Sequence, residues 1–272
     1  MRRNLVVFGG TGFLGKRICQ LAATSGVFDK VTSLSRSGRA PDSSEKWSSA
    51  VNWASCNIFD PATYQSHLHG ATDVVHSVGI LLENPDYKTQ LASSPLGSLA
   101  SLGQLVKPKW ARNPLQQNNP QFTYDAVNRR TAMLLAETVA AIAKDSGAER
   151  KVSFSYISAD KGFPLIPAGY INSKRQAEEG LMRLEHQLRP LLFRPGFMFD
   201  EARGVKDARS ALRDVLELLN CGNELLLRRN VGCVNQLLRP TVSTQQVARA
   251  LLKHIQDERS YGVVSLEDIL KA

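Results

Sequence analysis

The stretch "NLVVFGGTGFLG", residues 4–15, constrains the fold of this chain more than any other part of it. A short apolar run ends in glycines and is followed by "FLGKRICQLAATSG", in which apolar residues recur at helical spacing. Gly9, Gly12 and Gly15 form a G-x-x-G-x-x-G pattern between this predicted strand and helix. Glycines at such a turn let the chain bend tightly, let the backbone approach a pyrophosphate and let the helix pack on the strand. The pattern predicts a dinucleotide-binding turn, and the alternative is a glycine-rich turn that holds no ligand.

Apolar runs and helical patterns alternate along much of the chain. Strands are predicted over 30–38, 51–61, 71–79, 151–162 and 189–200, and long helices over 122–147 and 169–188. The C-terminal stretches "ALRDVLELL", "TQQVARALLKHI" and "SLEDILKA" also read as helices. Strands that alternate with helices in this way indicate βαβ units. We therefore predict an α/β fold: a Rossmann-type doubly wound parallel sheet with a small, mostly helical C-terminal substrate lobe.

We expect residues 1–272 to form one such domain, with its lobe mainly in 200–272 and an insertion at 83–120. The insertion follows the fourth predicted strand, contains five prolines and shows no clear periodicity. Ligands of open α/β sheets bind outside the carboxyl ends of the strands, so this segment is expected to lie near a ligand. Residues 205–240 combine leucines with arginines, which suits a polyprenylated substrate or an anionic membrane face, or equally core helices with solvated arginines.

The composition limits the class of protein. A net charge of +9 fits an anionic cofactor, an anionic membrane surface, nucleic acid or an alkaline compartment. Nucleic acid is the weakest of these because no compact Lys/Arg run with interleaved aromatics is present. The four cysteines are scattered without a C-x-x-C pair, which favours a reducing compartment. No run of eighteen apolar residues, signal peptide or mitochondrial presequence is visible.

The end of the second predicted strand bears on the choice of cofactor. NAD-binding turns usually place a carboxylate there for the adenosine ribose. This chain has Ser35 and Arg36 instead, with Arg39 nearby. Because an arginine can pair with a 2′-phosphate, we predict NADP, with NAD possible and a solvated surface arginine as the alternative.

"YINSK", residues 170–174, is the candidate for proton chemistry. Tyr170 and Lys174 stand four apart and project from one helix face. A nearby ammonium lowers the pKa of a phenol, so the pair can act as a proton donor and acceptor. The alternatives are two structural helix residues or the remnant of an active ancestor.

Four ordered motifs together resemble the short-chain dehydrogenase/reductase family, in its extended or atypical branches. They are "GGTGFLG", "SR" after the second strand, "YINSK", and "RPG" after the sixth strand. Longer stretches resemble the fungal mitochondrial members of the atypical branch that are tied to ubiquinone (coenzyme Q) biosynthesis, and more distantly the nucleotide-binding accessory subunit of respiratory complex I. These stretches are "HSVGILLENPDYK", "YISADKGFPLIPAGYINSKR", "RPGFMFDE" and "LRPTVSTQQVA".

The resemblance implies a role for each matching residue. Tyr170 corresponds to the family's proton donor and acceptor, Lys174 to the lysine that binds the nicotinamide ribose, and Asn128 to the asparagine behind that lysine. Contacts to the cofactor are implied for Gly9, Thr11, Gly12, Phe13, Leu14, Gly15, Ser35, Arg36, Asn57, Ile58, Ser77, Val78, Gly79, Tyr170, Lys174, Pro195, Gly196 and Phe197. A location on the matrix side of the mitochondrial inner membrane, and partners among the ubiquinone-biosynthesis proteins, are implied as well.

The position of the catalytic serine stays open at this stage. Ser158 lies twelve residues before Tyr170, at the spacing usual in the family, but an alignment from Gly162 puts Ala159 in that position. The histidines give no metal site: His67 and His69 point to different faces of a short helix, and His76 reads as a buried core imidazole. We expect no metal.

Overall fold

The centre of the fold is a parallel β-sheet. Within the residues that the computed structural model describes (3–41, 45–81, 121–147, 150–161, 167–201 and 240–272), seven strands form one sheet in the order β3-β2-β1-β4-β5-β6-β9. Its strands are β1 (Asn4–Phe8), β2 (Lys30–Ser35), β3 (Val51–Ser55), β4 (Asp73–His76), β5 (Val152–Ile157), β6 (Leu188–Phe193) and β9 (Gly262–Val264). Each neighbouring pair runs parallel. The strand order reverses between β1 and β4, which is where a doubly wound sheet opens its ligand crevice.

Helices cover both faces of the sheet, as parallel strands require. They are α1 (Phe13–Thr24), α2 (Gln65–Leu68), α3 (Thr131–Asp145), α4 (Ala168–Arg183), α5 (Thr244–Gln256) and α6 (Leu266–Leu270). A π-helical turn over Asp125–Arg130 leads into α3, and short 3-10 turns precede β3 and α2. A separate two-stranded parallel pair joins β7 (Met198–Phe199) to β8 (Val242–Ser243).

Two apolar clusters fill the space between the layers. One lies between the sheet and helices α1, α5 and α6, and it includes Ile18, Cys19, Leu251 and Ile255. The other lies on the opposite face, where Leu135 and Leu181 from α3 and α4 pack on the aromatic rings of β5. The predicted doubly wound sheet is thereby confirmed.

The C-terminal residues 240–272 belong to these same layers. Helix α5 begins with a capping box between Ser243 and Gln246, and it packs against α1. The carbonyls at its end accept hydrogen bonds from Arg3, just before β1, and from Arg189 in β6. Arg3 donates to the Ile255 oxygen at 2.9 Å, and Arg189 to the Ile255 and Asp257 oxygens at 2.8 and 2.9 Å. Cations at the carboxyl end of a helix also meet the negative end of its dipole.

The strands predicted over 30–38, 71–79 and 151–162 end earlier, at Ser35, His76 and Ile157, and the helix predicted over 169–188 ends at Arg183. Three further differences concern the kind of element. The helix predicted from 122 begins with the π-helical turn. The strand predicted over 189–200 ends at Phe193, because Pro195 and Gly196 break its pairing before β7. Strand β9 was not predicted at all, since three residues carry no periodic pattern.

Several predicted features lie outside the described residues. The insertion at 83–120, the helix "ALRDVLELL" and the leucine–arginine stretches before residue 240 fall there, so the single domain over 1–272 and its lobe stay predictions. In the part of the chain that is described, no helix combines the length and apolar character needed to cross a bilayer.

Candidate functional site

The glycine turn after β1 has the geometry that its spacing predicts. Gly9 has φ +85°, in the left-handed region that favours glycine, and the Gly12 N–H donates to its carbonyl at 2.8 Å. At Gly15 a Cβ atom would stand 2.1 Å from the Gly9 oxygen, so only glycine lets α1 approach the turn. Gly10 also needs to be glycine, since its Cβ would lie 2.1 Å from the Ser33 Oγ. Gly10 is outside the G-x-x-G-x-x-G pattern, and the sequence feature that points to it is the pair of adjacent glycines at 9 and 10.

The amino end of α1 is open toward the crevice. Gly12 caps the helix without a side-chain hydrogen bond, and no acidic residue stands in the first turn. Thr11 and Gly12 are exposed, whereas Leu14 and Gly15 are buried beneath them. A Cβ on Gly12 would approach only the Gly9 oxygen, at 3.0 Å. An uncapped amino end with open space before it fits a pyrophosphate, because helix N–H groups and the helix dipole both favour an anion there.

The ends of β2 and β3 form the side expected for the adenosine. The Ser35 Oγ accepts a hydrogen bond from the Gly38 N–H at 3.2 Å, which shapes the turn that carries the exposed Arg36. After β3 the Asn57 side-chain oxygen accepts from the Phe59 N–H at 3.1 Å. The amide nitrogen of Asn57 is thus the group that can meet a base, and Ile58 is buried behind it.

The segment Ser77–Gly79 runs from the glycine turn to the Tyr170–Lys174 pair expected from the sequence. The Ser77 N–H donates to the Phe8 oxygen at 2.9 Å, and a Cβ on Gly9 would lie 3.1 Å from the Ser77 carbonyl and from Val78. Two residues on, a Cβ on Gly79 would lie 3.2 Å from both the Lys174 Nζ and the Asn128 Oδ1. This one segment therefore touches both ends of the predicted site.

Lys174 is buried and its ammonium is hydrogen-bonded to the backbone. Its Nζ donates to the Ile157 oxygen at 2.7 Å. Burial lowers the pKa of Lys174 to about 7, and the neighbouring Glu178 carboxylate opposes that shift. Asn128, in the π-helical turn, accepts from the Ile80 N–H at 3.0 Å and donates to the Ile80 oxygen at 3.3 Å. Asn128 thus fixes the chain directly after Gly79.

Tyr170 lies in the first turn of α4, one turn before Lys174. Its backbone N–H donates to the Pro167 oxygen at 3.0 Å, and its side chain is half-buried. The ring packs edge-on against Tyr124 at 6.1 Å between centroids, in a cluster that includes Ile80 and Val78. The structure thereby brings Tyr170, Lys174 and the segment after β4 to one edge of the sheet.

Ser158 has a different environment from the one expected of a substrate-binding serine. It is buried, its Oγ donates to the Glu178 Oε1 at 2.5 Å, and it accepts from the Arg175 Nη1 at 3.2 Å. Arg194 also binds Glu178, through Nε at 3.0 Å and Nη2 at 2.5 Å, and this raises the pKa of Arg194. The Ala159 carbonyl accepts from Arg175 at 2.9 Å. The role of Ser158 at the substrate stays a prediction.

Glu178 and Arg175 were missed by the sequence reasoning. The available signal was position, since Glu178 stands two turns after Tyr170 on the same helix face. A glutamate on a helix usually faces water. Only the structure shows that Glu178 is buried and forms ion pairs with Arg175 and Arg194.

The turn after β6 is fixed to both neighbouring segments. The Pro195 oxygen accepts from the Asp160 N–H, and the Phe197 oxygen accepts from the Val242 N–H, both at 2.9 Å. A Cβ on Gly196 would lie 2.7 Å from the Pro240 oxygen. This turn lies at the carboxyl end of β6, beside the loop that follows Ser158, where its predicted cofactor contact stays a prediction.

The histidine on β4, His76, has a structural environment. His76 is fully buried and its Nε2 lies 2.9 Å from the Thr131 Oγ1. Burial, and then the charge of Lys174, lower the pKa of His76 to about 3, so its imidazole is neutral at pH 7. Among the described residues, no group of three His, Cys, Asp or Glu could hold a metal ion.

Comparison with known proteins identifies the family. No family model matches the chain. MIOREX complex component 2 of Saccharomyces cerevisiae is 51% identical over 278 residues, which span 99% of each protein. The chain belongs to the family of yeast MIOREX complex component 2. An uncharacterized chloroplastic protein of Arabidopsis thaliana is similar to this MIOREX component 2 homologue at 24% identity, over 99% of this chain and 77% of the plant protein.

Solved structures share the fold of this chain at low identity. An ElxO variant with bound NADPH matches with a TM-score of 0.59 and 12% identity over 100% of both chains. The Bordetella bronchiseptica enzyme WbmF with NAD+ matches with a TM-score of 0.55 and 16% identity, over 97% of this chain and 73% of WbmF. These likenesses show the Rossmann-like fold. None of the names of these relatives mentions ubiquinone or respiratory complex I, so that part of the expected resemblance stays a prediction.

Proposed function

We propose that this protein is an NAD(P)-dependent oxidoreductase of the short-chain dehydrogenase/reductase type. The observation that carries the proposal is the close approach of one segment, Ser77–Gly79, to both ends of the site. A Cβ on Gly9 would lie 3.1 Å from Ser77, and a Cβ on Gly79 would lie 3.2 Å from the Lys174 Nζ. A dinucleotide that lies along this segment would have its pyrophosphate at the open end of α1 and its nicotinamide beside Lys174 and Tyr170. Solved proteins with the same fold hold NAD+ or NADPH, which supports this choice of ligand.

The chain's own residues would bind and orient the cofactor, and Tyr170 would transfer a proton. When bound, the nicotinamide supplies the hydride donor or acceptor. The Lys174 ammonium, held by the Ile157 oxygen, would favour the ionised form of the Tyr170 phenol, so that Tyr170 can give a proton to the substrate oxygen or take one from it. Asn128 would keep Gly79 and Ile80 in place beside the ammonium.

The adenosine side supports NADP as the preferred cofactor, with NAD also accepted. Residues 35–41, "SRSGRAP", place two arginines and no carboxylate after β2. An arginine fork pairs with a 2′-phosphate, whereas the usual partner of an unmodified ribose is a carboxylate.

The substrate class and location extend this proposal. On the resemblance to the ubiquinone-linked branch, we propose a polyprenylated quinone precursor as substrate, ubiquinone-biosynthesis proteins as partners and a place on the matrix side of the mitochondrial inner membrane. A relative that is named as a complex component supports membership of a multi-protein assembly. Nucleic acid is not among the proposed partners.

One observation favours a second function, that of a non-catalytic subunit stabilised by its dinucleotide. The Ser158 hydroxyl is engaged by Glu178 and Arg175 instead of facing the cleft. Loss of a hydrogen-bond donor at the transition state typically costs about 2.7–4 kcal/mol, so a site without it would be slow. In this case the cofactor would serve only the fold and the assembly.

Dinucleotide binding is tested by titrating NADPH and NADH into the purified protein. Gly12→Asp puts a carboxylate at the pyrophosphate position and should abolish binding, because like charges repel and the open space is filled. Gly26→Asp is the matched control: it adds the same charge in an exposed turn with nothing within 4 Å of its Cβ. Its φ of +69° strains a side chain, so the Tm should fall, but the folded protein should bind NADPH normally. Absence of binding by the unaltered protein would remove the proposal.

The choice between the two functions is tested in yeast that lacks its own MIOREX complex component 2. If the protein is catalytic, Tyr170→Phe should fail to complement while its NADPH affinity and Tm stay near those of the parent. The control is Tyr124→Phe, which removes the hydroxyl of the ring that packs against Tyr170. This variant should complement. Full complementation by Tyr170→Phe together with failure of Gly12→Asp would support the non-catalytic subunit.

A further inference from the structure

A fully buried tyrosine, Tyr156, lies directly behind Lys174. It stands on β5, next to Ile157, whose carbonyl accepts the hydrogen bond from Lys174. The Lys174 Nζ lies 4.7 Å from the centroid of the Tyr156 ring. A cation within about 6 Å of a tyrosine face is attracted by the ring quadrupole, more strongly where water is excluded.

The hydroxyl of the same tyrosine reaches the π-helical turn. It donates to the Asn128 carbonyl at 2.6 Å, whereas the Asn128 side chain is engaged with Ile80. Lys174 and Asn128 are the two residues whose side chains stand 3.2 Å from the Cβ position of Gly79. Tyr156 contacts both of them, Lys174 through its ring and Asn128 through the backbone carbonyl. Gly79 lies on the crevice side of these groups and Tyr156 on the core side.

The charged and titratable groups around Lys174 determine how much the Tyr156 ring can contribute to holding its ammonium. Glu178 is the carboxylate that favours its ammonium, Arg175 is the nearby cation bound to Glu178, and His76 is neutral at pH 7 because burial lowers its pKa. Tyr170 stands one turn away on the same helix. Burial also raises the pKa of Tyr156 well above its usual range, so its phenol keeps its proton and acts as a donor.

We propose that Tyr156 is a positioning residue for Lys174: its ring holds the ammonium behind Gly79, and its hydroxyl fixes the Asn128 turn beside it. The consequence for dinucleotide binding rests on the function proposed above, whereas the effect on Lys174 itself does not.

The direct test follows the Lys174 ammonium by NMR of protein with ¹³C-labelled lysine, with Lys174→Met used to assign the signal. Tyr156→Leu removes the ring, so the titration midpoint of Lys174 should fall by about one pH unit, the equivalent of the cation–π attraction in a desolvated site. Tyr156→Phe keeps the ring and should leave the midpoint within a few tenths of a unit of the parent value. It loses the bond to the Asn128 carbonyl and should lower the Tm.

Phe154→Leu is the matched control, since Phe154 is a fully buried ring two residues earlier on the same face of β5. It should lower the Tm as Tyr156→Leu does but leave the Lys174 midpoint unchanged. Equal midpoints in Tyr156→Leu and the parent, or equal shifts in Tyr156→Leu and Phe154→Leu, would overturn the proposal.

An NADPH titration of the same variants separates this proposal from the proposed function. Tyr156→Leu should bind NADPH more weakly than Phe154→Leu does. If the parent protein binds no dinucleotide, the proposed function fails, while the NMR result still decides the role of Tyr156. If the parent binds and Tyr156→Leu matches Phe154→Leu in affinity and midpoint, the positioning role is refuted and the proposed function stands.

Discussion

Gly15→Ala places two known effects in opposition, and the structure decides which one wins. Gly15 lies inside α1, where alanine in place of glycine ordinarily stabilises a helix by about 0.5–1 kcal/mol. At this position, however, the new Cβ would stand 2.1 Å from the Gly9 oxygen and 2.8 Å from the Gly10 Cα. Both neighbours are backbone atoms, and the Gly9 oxygen is also the acceptor for the Gly12 N–H, so neither can move without opening the turn.

The magnitude follows from these two terms. Overpacking of a well-packed site typically costs about 1–3 kcal/mol, and contact with fixed backbone belongs at the upper end of that range. Subtracting the helix gain leaves a loss of about 2 kcal/mol in the free energy of unfolding. With a urea slope of about 2–3 kcal/mol per molar, the midpoint of urea unfolding should fall by about 1 M.

Gly180→Ala is the control for this measurement. Gly180 also lies inside a helix, α4, and its new Cβ would meet the Met133 sulphur at 2.5 Å. That atom belongs to a flexible side chain that can turn aside, so the helix gain should offset most of the cost. A Gly15→Ala protein that unfolds at the same urea concentration as the parent, or at a higher one, would refute the steric account of the turn.

Three further predictions concern the cofactor, the pH dependence and the buried ion pair. Arg36→Ala should raise the Kd for NADPH about tenfold and leave that for NADH unchanged, and equal changes in titrations with both would contradict the role of Arg36. Because the folded-state pKa of His76 lies near 3, below the ordinary 6.5, its contribution to stability is fully present above pH 6.5 and is lost as the pH falls toward 3; His76→Gln should flatten the pH dependence of urea unfolding in that window. Asp73→Asn breaks an ion pair in which Asp73 is fully buried and Arg3 largely so, and it should cost about 3–5 kcal/mol in urea unfolding. Asp125→Asn, in an exposed pair, should cost less than about 1 kcal/mol, so equal costs would count against this assignment.

Local sequence patterns predicted the frame of the molecule. The glycine spacing at residues 9–15 and the apolar runs of the first six strands each act over one or two elements, and the turn and the six strands appear in the structure, with shorter strand ends. The spacing of Tyr170 and Lys174 places both residues on α4, and their proton chemistry stays a prediction. Elements that depend on packing against a distant segment show no such pattern in the local sequence. Strand β9 is three residues long and depends on pairing with β6.

The same limit applies to the surroundings of the candidate site. The sequence alone suggests that Glu178 is a solvated helix residue, and only the structure shows that Arg194, directly after β6, binds it. Tyr156 reads as one apolar residue of a buried strand, and its contact with Lys174 depends on how α4 crosses the sheet. The hydrogen bond from the Ser158 hydroxyl to Glu178 also depends on how α4 packs on the sheet, so residue spacing could not predict it.

The packing of α5 on α1 has a consequence for the order of synthesis. Ile18 and Cys19 leave the ribosome long before Leu251 and Ile255, yet they share one apolar cluster with them. The nascent amino-terminal half therefore carries an uncovered apolar stripe on α1 until nearly the whole chain has been made. A chain that stalls or is cut before residue 244 should be a chaperone client or a protease substrate even though its glycine turn is intact.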